Sequence, residues 1–307
     1  MTLVFSLYAL FATLFSIGKM SLEYAPPFFI VGLRMTIAGI LLLTYQYFVD
    51  RSKLKITRKQ LWLTITLGFS GIYLTNAMEF WGLQYLTAGK TCLIYSLCPL
   101  VSALFSYFYF KEHMTNKKWL GLSIGFAGLM PIFISSSSTE SHLRHLLFFS
   151  WAELAVAIAA VASVYGWITL RRLVRDGECC FITANAYSML FGGIMASVNS
   201  YLVEGWSFSN LPVTNWTALW IYMALMIIIS NVICYNLYGY LLKHYTATLM
   251  QFAGFSTPLF TAIFAWFLLG ETVSIYFWIT LAMIFTGLWI FHKEELRQGY
   301  IKKNVKS

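Results

Sequence analysis

Charged residues are scarce in this chain of 307 residues, because Asp, Glu, Lys and Arg together make up only 11% of it. Soluble globular domains carry about 25% charged residues, so an ordinary soluble fold is excluded. Hydrophobic residues reach 59%. This composition is typical of an integral membrane protein, and it leaves too little polar sequence for a soluble catalytic domain.

Cysteine and histidine are also few, with five of each. The cysteines show no metal-ligand spacing and no obvious pairing scheme, and they are interpreted as small apolar residues. The histidines are expected in loops or at helix ends. Since no nucleophilic or metal-binding residues converge, the sequence predicts no enzyme, no metal site and no cofactor.

Acidic residues number 12 against 21 Lys and Arg, which gives a net charge of +9. Nucleic acid is not the expected partner, because the basic residues follow the predicted membrane topology. If the N-terminus is cytoplasmic, 17 of the 21 basic residues lie inside, three lie outside (Lys19, Lys90 and Arg144), and Arg34 lies within the membrane. This positive-inside bias predicts that both termini are cytoplasmic.

Apolar runs of the length that crosses a bilayer, about 20 residues, recur along the chain. The first is interpreted as a retained helix, not a signal peptide, because it lacks a basic start and a cleavage site. The sequence thus predicts an all-α membrane protein with ten spans, at residues 2–18, 27–49, 61–85, 88–110, 118–135, 148–170, 180–203, 216–240, 246–269 and 273–292.

An internal repeat organises the sequence, since residues 87–132 match residues 246–291 without a gap. Pro99, Glu112 and Gly128 correspond to Pro258, Glu271 and Gly287, a register that shared apolar composition does not produce. Five spans in each half is an odd number, so the two halves enter the membrane from opposite sides. We therefore expect inverted repeats at 1–135 and 146–292, a polar linker at 136–145 and a basic cytoplasmic tail at 293–307.

Ionisable residues inside the membrane are costly, by at least about 2.5–3.5 kcal/mol on insertion scales, and so they mark candidate sites. Arg34, Glu79 and Glu153 are predicted to share one layer about 10 Å below the outer surface. In this hypothesis Arg34 neutralises one carboxylate and leaves the other for a cationic group or a proton. The alternative is an inert structural layer. Lys19 and Lys90 lie nearer the outer surface and are interpreted either as gates or as interface anchors.

Aromatic residues make up 18% of the chain, more than interfacial belts require. Together with carboxylates, an aromatic cavity suits a ligand with a positive centre and a flat ring. For each aromatic residue, packing or an interfacial belt is the alternative reading. The predicted substrate-binding set around the charged layer is Tyr73, Asn76, Trp81, Tyr95, Tyr165, Trp167, Tyr187, Asn231, Tyr235 and Tyr238.

The repeated prolines and glutamates have separate predicted roles. Pro99 and Pro258 each remove a helical hydrogen bond in mid-membrane, so their helices are expected to kink and to move during transport. Glu112 and Glu271 end their helices on opposite sides of the membrane. They are interpreted as binding nearby backbone N–H groups that fix the next turn.

These features together resemble the drug/metabolite transporter superfamily in its ten-helix, duplicated EamA-type form. The resemblance spans the chain and depends on Lys19, Arg34, the segment from Pro99 to Phe110-Lys111-Glu112, and the segment from Pro258 to Leu269-Gly270-Glu271. Only the second segment has the family's usual ending. Length and aromatic content also resemble a branch from bacteria living inside host cells, with members similar to S-adenosylmethionine carriers.

The resemblance implies a secondary carrier in the bacterial inner membrane that works by alternating access. Its implied substrate is an amino-acid-like or adenosyl-containing cation or zwitterion. Two alternatives stay open: a broad-specificity exporter, and a scaffold or channel that does not transport. A small molecule and the lipid bilayer are the expected partners. Monomer and homodimer are equally compatible with the sequence.

Overall fold

The computed structural model describes residues 2–110, 114–128, 145–146, 149–176, 179–207, 209–244, 250, 254–272 and 274–298. Helices dominate these residues, as predicted. Seven helical stretches among them are long and apolar enough to cross a membrane, and Thr257–Leu269 is a shorter apolar helix. The chain is therefore a multi-pass helical membrane protein.

The first half of the chain contains seven α-helices in chain order. They are α1 Thr2–Ser21, α2 Pro27–Val49, α3 Arg58–Leu67, α4 Thr75–Leu83, α5 Ala88–Tyr95, α6 Cys98–Phe110 and α7 Asn116–Ala127. A 3₁₀ turn, Arg51–Leu54, precedes α3, and a π-helical segment, Gly68–Leu74, joins α3 to α4. The predicted span 61–85 is thus one helical path built from three segments.

The second half begins with a short antiparallel pair, β1 His145–Leu146 and β2 Phe149–Ser150. π-Helical segments follow α8 (Arg172–Asp176) and join α10 to α11 (Ile227–Cys234), and a 3₁₀ turn, Gly254–Ser256, precedes α12. The α-helices are α8 Trp151–Arg171, α9 Phe181–Val203, α10 Trp216–Met226, α11 Tyr235–His244, α12 Thr257–Leu269 and α13 Ile275–Gln298.

Helices α2 and α9, which hold corresponding places in the two halves, pack against each other in opposite directions. Gly32 lies against Ser197 and Gly39 against Leu190, so residue numbers fall on one helix as they rise on the other. A Cβ atom added to Gly39 would lie 2.7 Å from the Leu190 backbone nitrogen. This contact therefore requires glycine.

Helices α7 and α13, which carry the gapless repeat, also pack antiparallel. A Cβ atom on Gly121 would lie 2.5 Å from the Gly287 carbonyl oxygen, and one on Gly128 would lie 2.7 Å from the Met283 side chain. The predicted glycine stripe of α7 is thus a helix contact surface. Helices from the two copies of the repeat meet each other directly.

Three sequence predictions differ from the structure or fall outside it. Helix α13 continues to Gln298, so the predicted tail beginning at 293 is helical at its start. This happens because the helix crosses the apolar boundary without a breaking residue. Most of the linker at 136–145 and Glu112 lie outside the described residues, and their assignments remain predictions.

Two opposite faces of the helical body are identified by contacts between loops. On one face, the Phe28 backbone N–H donates to the Glu204 carboxylate at 2.7 Å. On the other face, the Thr183 hydroxyl donates to the Lys53 carbonyl at 3.0 Å. The charge bias assigns the first face to the outside and the second to the cytoplasm.

Labelling of single cysteines tests this orientation. We expect Ser209→Cys, exposed on the Glu204 face, to react with a membrane-impermeant maleimide in intact cells. Ser52→Cys, exposed on the Lys53 face, should react only after the cells are opened. A chain lacking its own five cysteines is the control. The reverse labelling pattern would place the termini outside.

Candidate functional site

A central cavity lies between helices of both halves, with a volume of about 170 Å³ open to the centres of water molecules. One water needs about 10–15 Å³ on this measure, so the cavity has room for a small metabolite. Helices α1, α2, α4, α5, α6, α8, α9, α11 and α12 all contribute to its walls. The cavity is therefore assembled only when the two halves pack together.

Arg34 of α2 supplies the cation of this cavity. Its side chain is only 2% exposed, and its guanidinium lies 4.9 Å from the centre of the Phe80 ring. One terminal nitrogen donates to Asn76 Oδ1 at 2.5 Å and the other contacts Met226 Sδ at 3.4 Å. The Nε–H has no hydrogen-bond partner. A buried guanidinium N–H without a partner is costly, so this group is available to an anionic ligand.

Glu79 of α4 supplies the carboxylate of the cavity. Its Oε2 accepts a hydrogen bond from the Tyr95 hydroxyl at 2.7 Å. Glu79 influences Arg34 electrostatically, yet the two do not approach within the 4.0 Å of an ion pair. The predicted neutralising pair is therefore wrong for Glu79, because the guanidinium is turned toward Asn76. The cavity holds two separated, opposite charges.

Glu153 is not in this layer, which corrects the prediction that it lies beside Arg34 and Glu79. Helix α8 begins at Trp151, so Glu153 lies in its first turn and forms a capping box with Ser150. Its carboxylate also lies 2.7 Å from Lys90 Nζ, and the two side chains are 2% and 4% exposed. Lys90 is thus neither an interface anchor nor solvated. The two residues form a buried ion pair between the halves.

An aromatic wall lies opposite the charges. The Trp167 and Tyr238 rings stack with centroids 4.0 Å apart, and Trp167 lies 5.4 Å from Tyr235. Phe11 of α1 extends the wall, with its ring 6.4 Å from that of Tyr235. Trp167 remains partly exposed to the cavity. A flat ring can stack on such a surface, and a cation can lie over it.

The structure brings together seven of the thirteen residues predicted to bind substrate: Arg34, Asn76, Glu79, Tyr95, Trp167, Tyr235 and Tyr238. The other six do not line the cavity. Glu153 is paired with Lys90, as described above. Helix rotation places the remaining five elsewhere: Tyr73 beside Phe69, Trp81 beside Tyr85, Tyr165 beside Phe105 on an exposed face, Tyr187 on the Leu54 carbonyl, and Asn231 against Met35.

Sequence reasoning missed the contribution of α1 to the cavity. Tyr8, Phe11 and Phe15 all line it. Their spacing of three and four residues places them on one helix face, so an amphipathic reading of the first span could have found them. The Tyr8 hydroxyl donates to the Met250 carbonyl at 2.6 Å, which ties α1 to the chain segment before α12.

The π-helical segments occupy equivalent places in the two halves, 159 residues apart, with Gly68 corresponding to Ile227. In each half the segment directly precedes cavity residues, Asn76 in one and Tyr235 in the other. Single π-helical turns interrupt α-helices frequently at functional sites because they redirect the side chains that follow. Here they turn equivalent positions of the two copies toward one cavity.

Pro99 and Pro258 line the cavity near the beginnings of α6 and α12. The predicted kinks in continuous helices are therefore wrong in detail. The fourth span is interrupted at Ser96 and Leu97, where backbone hydrogen bonds of the 3₁₀ type close the turn, and Gly254–Ser256 is a 3₁₀ turn before α12. Proline is favoured in a first helical turn, since its missing N–H is not needed there. Both half-helices direct their N-termini toward the cavity.

An apolar cluster and a second pair of charges lie beyond one end of the cavity. Phe15, Ala88, Cys92 and Ala265 form the cluster, which joins α1, α5 and α12. Lys19 lies one turn past Phe15, where it donates to the Leu86 carbonyl and lies 3.7 Å from Glu271.

Glu271 also accepts from the Ala88 N–H at 3.1 Å, so it caps a distant helix and not the turn next to it in the chain. Helix α5 begins at Ala88, and Glu271 follows the end of α12. This contact therefore joins the two halves. It lies at the same end of the molecule as the pair of Lys90 and Glu153.

Asp50, at the cytoplasmic loop, is the titrating group whose behaviour is defined outside the membrane. Hydrogen bonds from Ser52 and the neighbouring Lys53 ammonium lower the pKa of its carboxyl to about 2. It caps the turn Arg51–Leu54 through the Ser52 N–H. Between about pH 5 and 8 this carboxylate stays ionised, so it does not produce pH dependence there.

Known proteins were compared with the whole chain. Two stretches, residues 1–134 and 150–292, match the EamA-like transporter family. The chain belongs to this family. It is therefore a membrane transporter and not an enzyme.

Individual EamA-like relatives match over nearly the full length. A protein of Chlamydia muridarum named S-adenosylmethionine/S-adenosylhomocysteine transporter is 34% identical, over 97% of this chain and 93% of its own. A protein of the same name from Chlamydia trachomatis is 33% identical over 97% and 90%. An uncharacterised transporter of Bacillus subtilis is 27% identical over 94% and 91%.

One solved crystal structure superposes with a TM-score of 0.69, covering 97% of this chain and 98% of the other at 19% identity. At that identity the likeness shows the fold alone.

Proposed function

We propose that this EamA-like transporter is a secondary carrier for a small metabolite that combines an amino-acid zwitterion with a flat ring, with S-adenosylmethionine as the best candidate. The observation that carries the proposal is one cavity holding a separated cation and carboxylate, Arg34 and Glu79, opposite the aromatic wall. The names of the chlamydial relatives support the same substrate.

The chemistry of the cavity fits that ligand. A guanidinium binds an α-carboxylate, and Glu79 is complementary to an ammonium or sulfonium group. Two N-terminal ends of half-helices, at Pro99 and Pro258, add positive dipole ends beside the carboxylate position. A purely lipophilic exporter substrate would leave both Arg34 and Glu79 buried without a charged partner, which is costly.

We propose that transport proceeds by alternating access of two inverted five-helix repeats. The antiparallel contacts of α2 with α9 and of α7 with α13 support this symmetry, as do the equivalent π-helical segments. The fourth and ninth spans, broken before Pro99 and Pro258, border the cavity and are suited to move.

Closure at the outer face is part of the same proposal. The pairs Lys19–Glu271 and Lys90–Glu153 join the halves on the side that the charge bias assigns to the outside. The apolar cluster around Phe15 lies between the first pair and the cavity. Opening this face requires both pairs to separate, so Lys19 and Lys90 act as outer gates.

Reconstitution into liposomes tests the proposed function. Vesicles loaded with unlabelled S-adenosylmethionine should accumulate the labelled compound by counterflow, with saturation, because one site is exposed to each side in turn. A scaffold would show no uptake, and a channel would show uptake without saturation or counterflow. A broad exporter would instead be competed equally well by unrelated amphipathic cations. Any of these results would refute the proposal.

Replacing Pro99 and Pro258 together with Ala tests their role in movement. Alanine restores backbone N–H groups and favours continuous helices across both breaks. We expect the turnover rate to fall by about tenfold or more while the Kd for S-adenosylmethionine changes little, as measured by counterflow and by equilibrium binding. A double variant that transports at the parental rate would remove these prolines from the mechanism.

A further inference from the structure

The two halves of the chain place different chemistry at equivalent positions of the cavity. Residues 159 positions apart correspond in the repeat, so Asn76 is equivalent to Tyr235 and Glu79 to Tyr238. All four line the cavity. Asn76 and Tyr235 also contact each other, with the amide nitrogen donating to the phenol oxygen at 3.4 Å. The two copies thus meet inside the site, yet one is polar and charged where the other is aromatic.

The charged side has hydrogen-bonding capacity that the protein leaves unused. Arg34 Nε has no partner although the residue is only 2% exposed. Glu79 uses Oε2 for Tyr95, and no described residue donates to its Oε1. Among the described cavity residues, Arg34 and Glu79 are the Arg, Lys, Asp and Glu members, and both belong to the first half. This side can therefore bind a carboxylate and an ammonium together.

The aromatic side comes mainly from the second half, through Trp167, Tyr235 and Tyr238. Tyr235 and Tyr238 are 8% and 3% exposed, so they support the wall from behind, whereas Trp167 is more exposed. No Arg, Lys, Asp or Glu of the second half lies among the described cavity residues. This side therefore offers stacking and little that would attract a separate charge.

We infer that the cavity contains two subsites and holds its substrate in one orientation. The zwitterion subsite, formed by Arg34, Asn76 and Glu79, binds the amino-acid end. The ring subsite, formed by Trp167, Tyr235 and Tyr238, binds the flat ring. This inference rests on the proposed function, and it adds that each repeat determines specificity for one end of the ligand.

Fragments of the proposed substrate separate the two subsites. Methionine carries the amino-acid end, and adenosine carries the ring. In purified full-length protein, each fragment is measured by its competition against labelled S-adenosylmethionine. Glu79→Gln should weaken methionine binding by about tenfold or more and leave adenosine within about twofold. Trp167→Leu should do the opposite, since stacking on one aromatic ring has an effect of about tenfold.

Matched controls lie outside the cavity. Glu23→Gln removes a carboxylate from an exposed loop, and Trp81→Leu removes a tryptophan that contacts Tyr85. Both should leave both fragments unchanged. If Trp167→Leu does not fold, Trp167→Phe keeps a smaller ring and should weaken adenosine alone.

The outcomes separate this inference from the function on which it depends. If the parent binds S-adenosylmethionine but each variant weakens both fragments equally, or weakens the wrong fragment, the subsite assignment is overturned and the carrier proposal survives. If the parent neither binds nor exchanges S-adenosylmethionine, the proposed function itself fails. Selective and opposite losses in the two variants support the two subsites.

Discussion

Glu79→Gln is expected to raise the KM for S-adenosylmethionine uptake by about tenfold to a hundredfold, because a hydrogen bond to a charged group contributes about 1.5–3 kcal/mol. The substitution keeps the shape of the side chain and can still accept a hydrogen bond from the Tyr95 hydroxyl. It removes the negative charge of the cavity. Initial uptake rates in proteoliposomes, measured against substrate concentration, check this result.

The pH profile of the same variant tests whether Glu79 also exchanges protons. If it does, any change in the parental uptake rate between about pH 5 and 8 should be absent in Glu79→Gln. The Asp50 carboxyl, with a pKa of about 2, does not titrate in this window and provides no competing explanation. Glu23→Gln is the matched control. Parental KM and parental pH profile in Glu79→Gln would show that the cavity carboxylate is structural.

Breaking the buried pair between Lys90 and Glu153 is expected to have the largest effect on stability. Lys90→Met leaves a carboxylate buried without its cation, which costs about 3–5 kcal/mol. For a chain of this size the loss corresponds to a fall in Tm of roughly 10 °C. The double variant Lys90→Met with Glu153→Gln leaves no unpaired charge, so it should recover most of the Tm. Thermal unfolding in detergent, followed by tryptophan fluorescence, measures the cycle.

The exposed pair between Lys53 and Asp50 is the control for this cycle. Its atoms lie 2.9 Å apart, but the side chains are 56% and 32% exposed. Water screens such a pair, so Lys53→Met should leave the Tm unchanged. Additive losses in the Lys90 and Glu153 variants, with no recovery in the double variant, would mean that the two residues do not stabilise each other.

The gating role of the same pair has a separate measurement. Cys98 lines the cavity. In a chain that retains Cys98 alone, the stable double variant should react faster than the parent with an impermeant thiol reagent added outside. Equal rates would leave the pair as a stabilising contact without a gating role.

Local and repeated features of the sequence account for much of the fold. Apolar runs predicted the helices because hydrophobic length alone decides whether a segment can cross a bilayer. The offset of 159 residues predicted equivalent positions because duplication preserves register. The structure added the interruptions, since the π-helical segments at Gly68 and Ile227 have no breaker residue in common.

The sequence by itself determined the membrane class, the repeat and the short set of ionisable groups inside the membrane, because composition and spacing are properties of the chain alone. Tertiary structure decided which of these groups meet. Glu153 follows Lys90 by 63 residues and pairs with it, whereas Glu79 lies in the cavity with Arg34. Depth along a helix is readable from residue number, but the direction of a side chain depends on helix rotation and on which half packs against it. That physical difference is why Arg34 and Glu79 were found at the right depth while their partners were not.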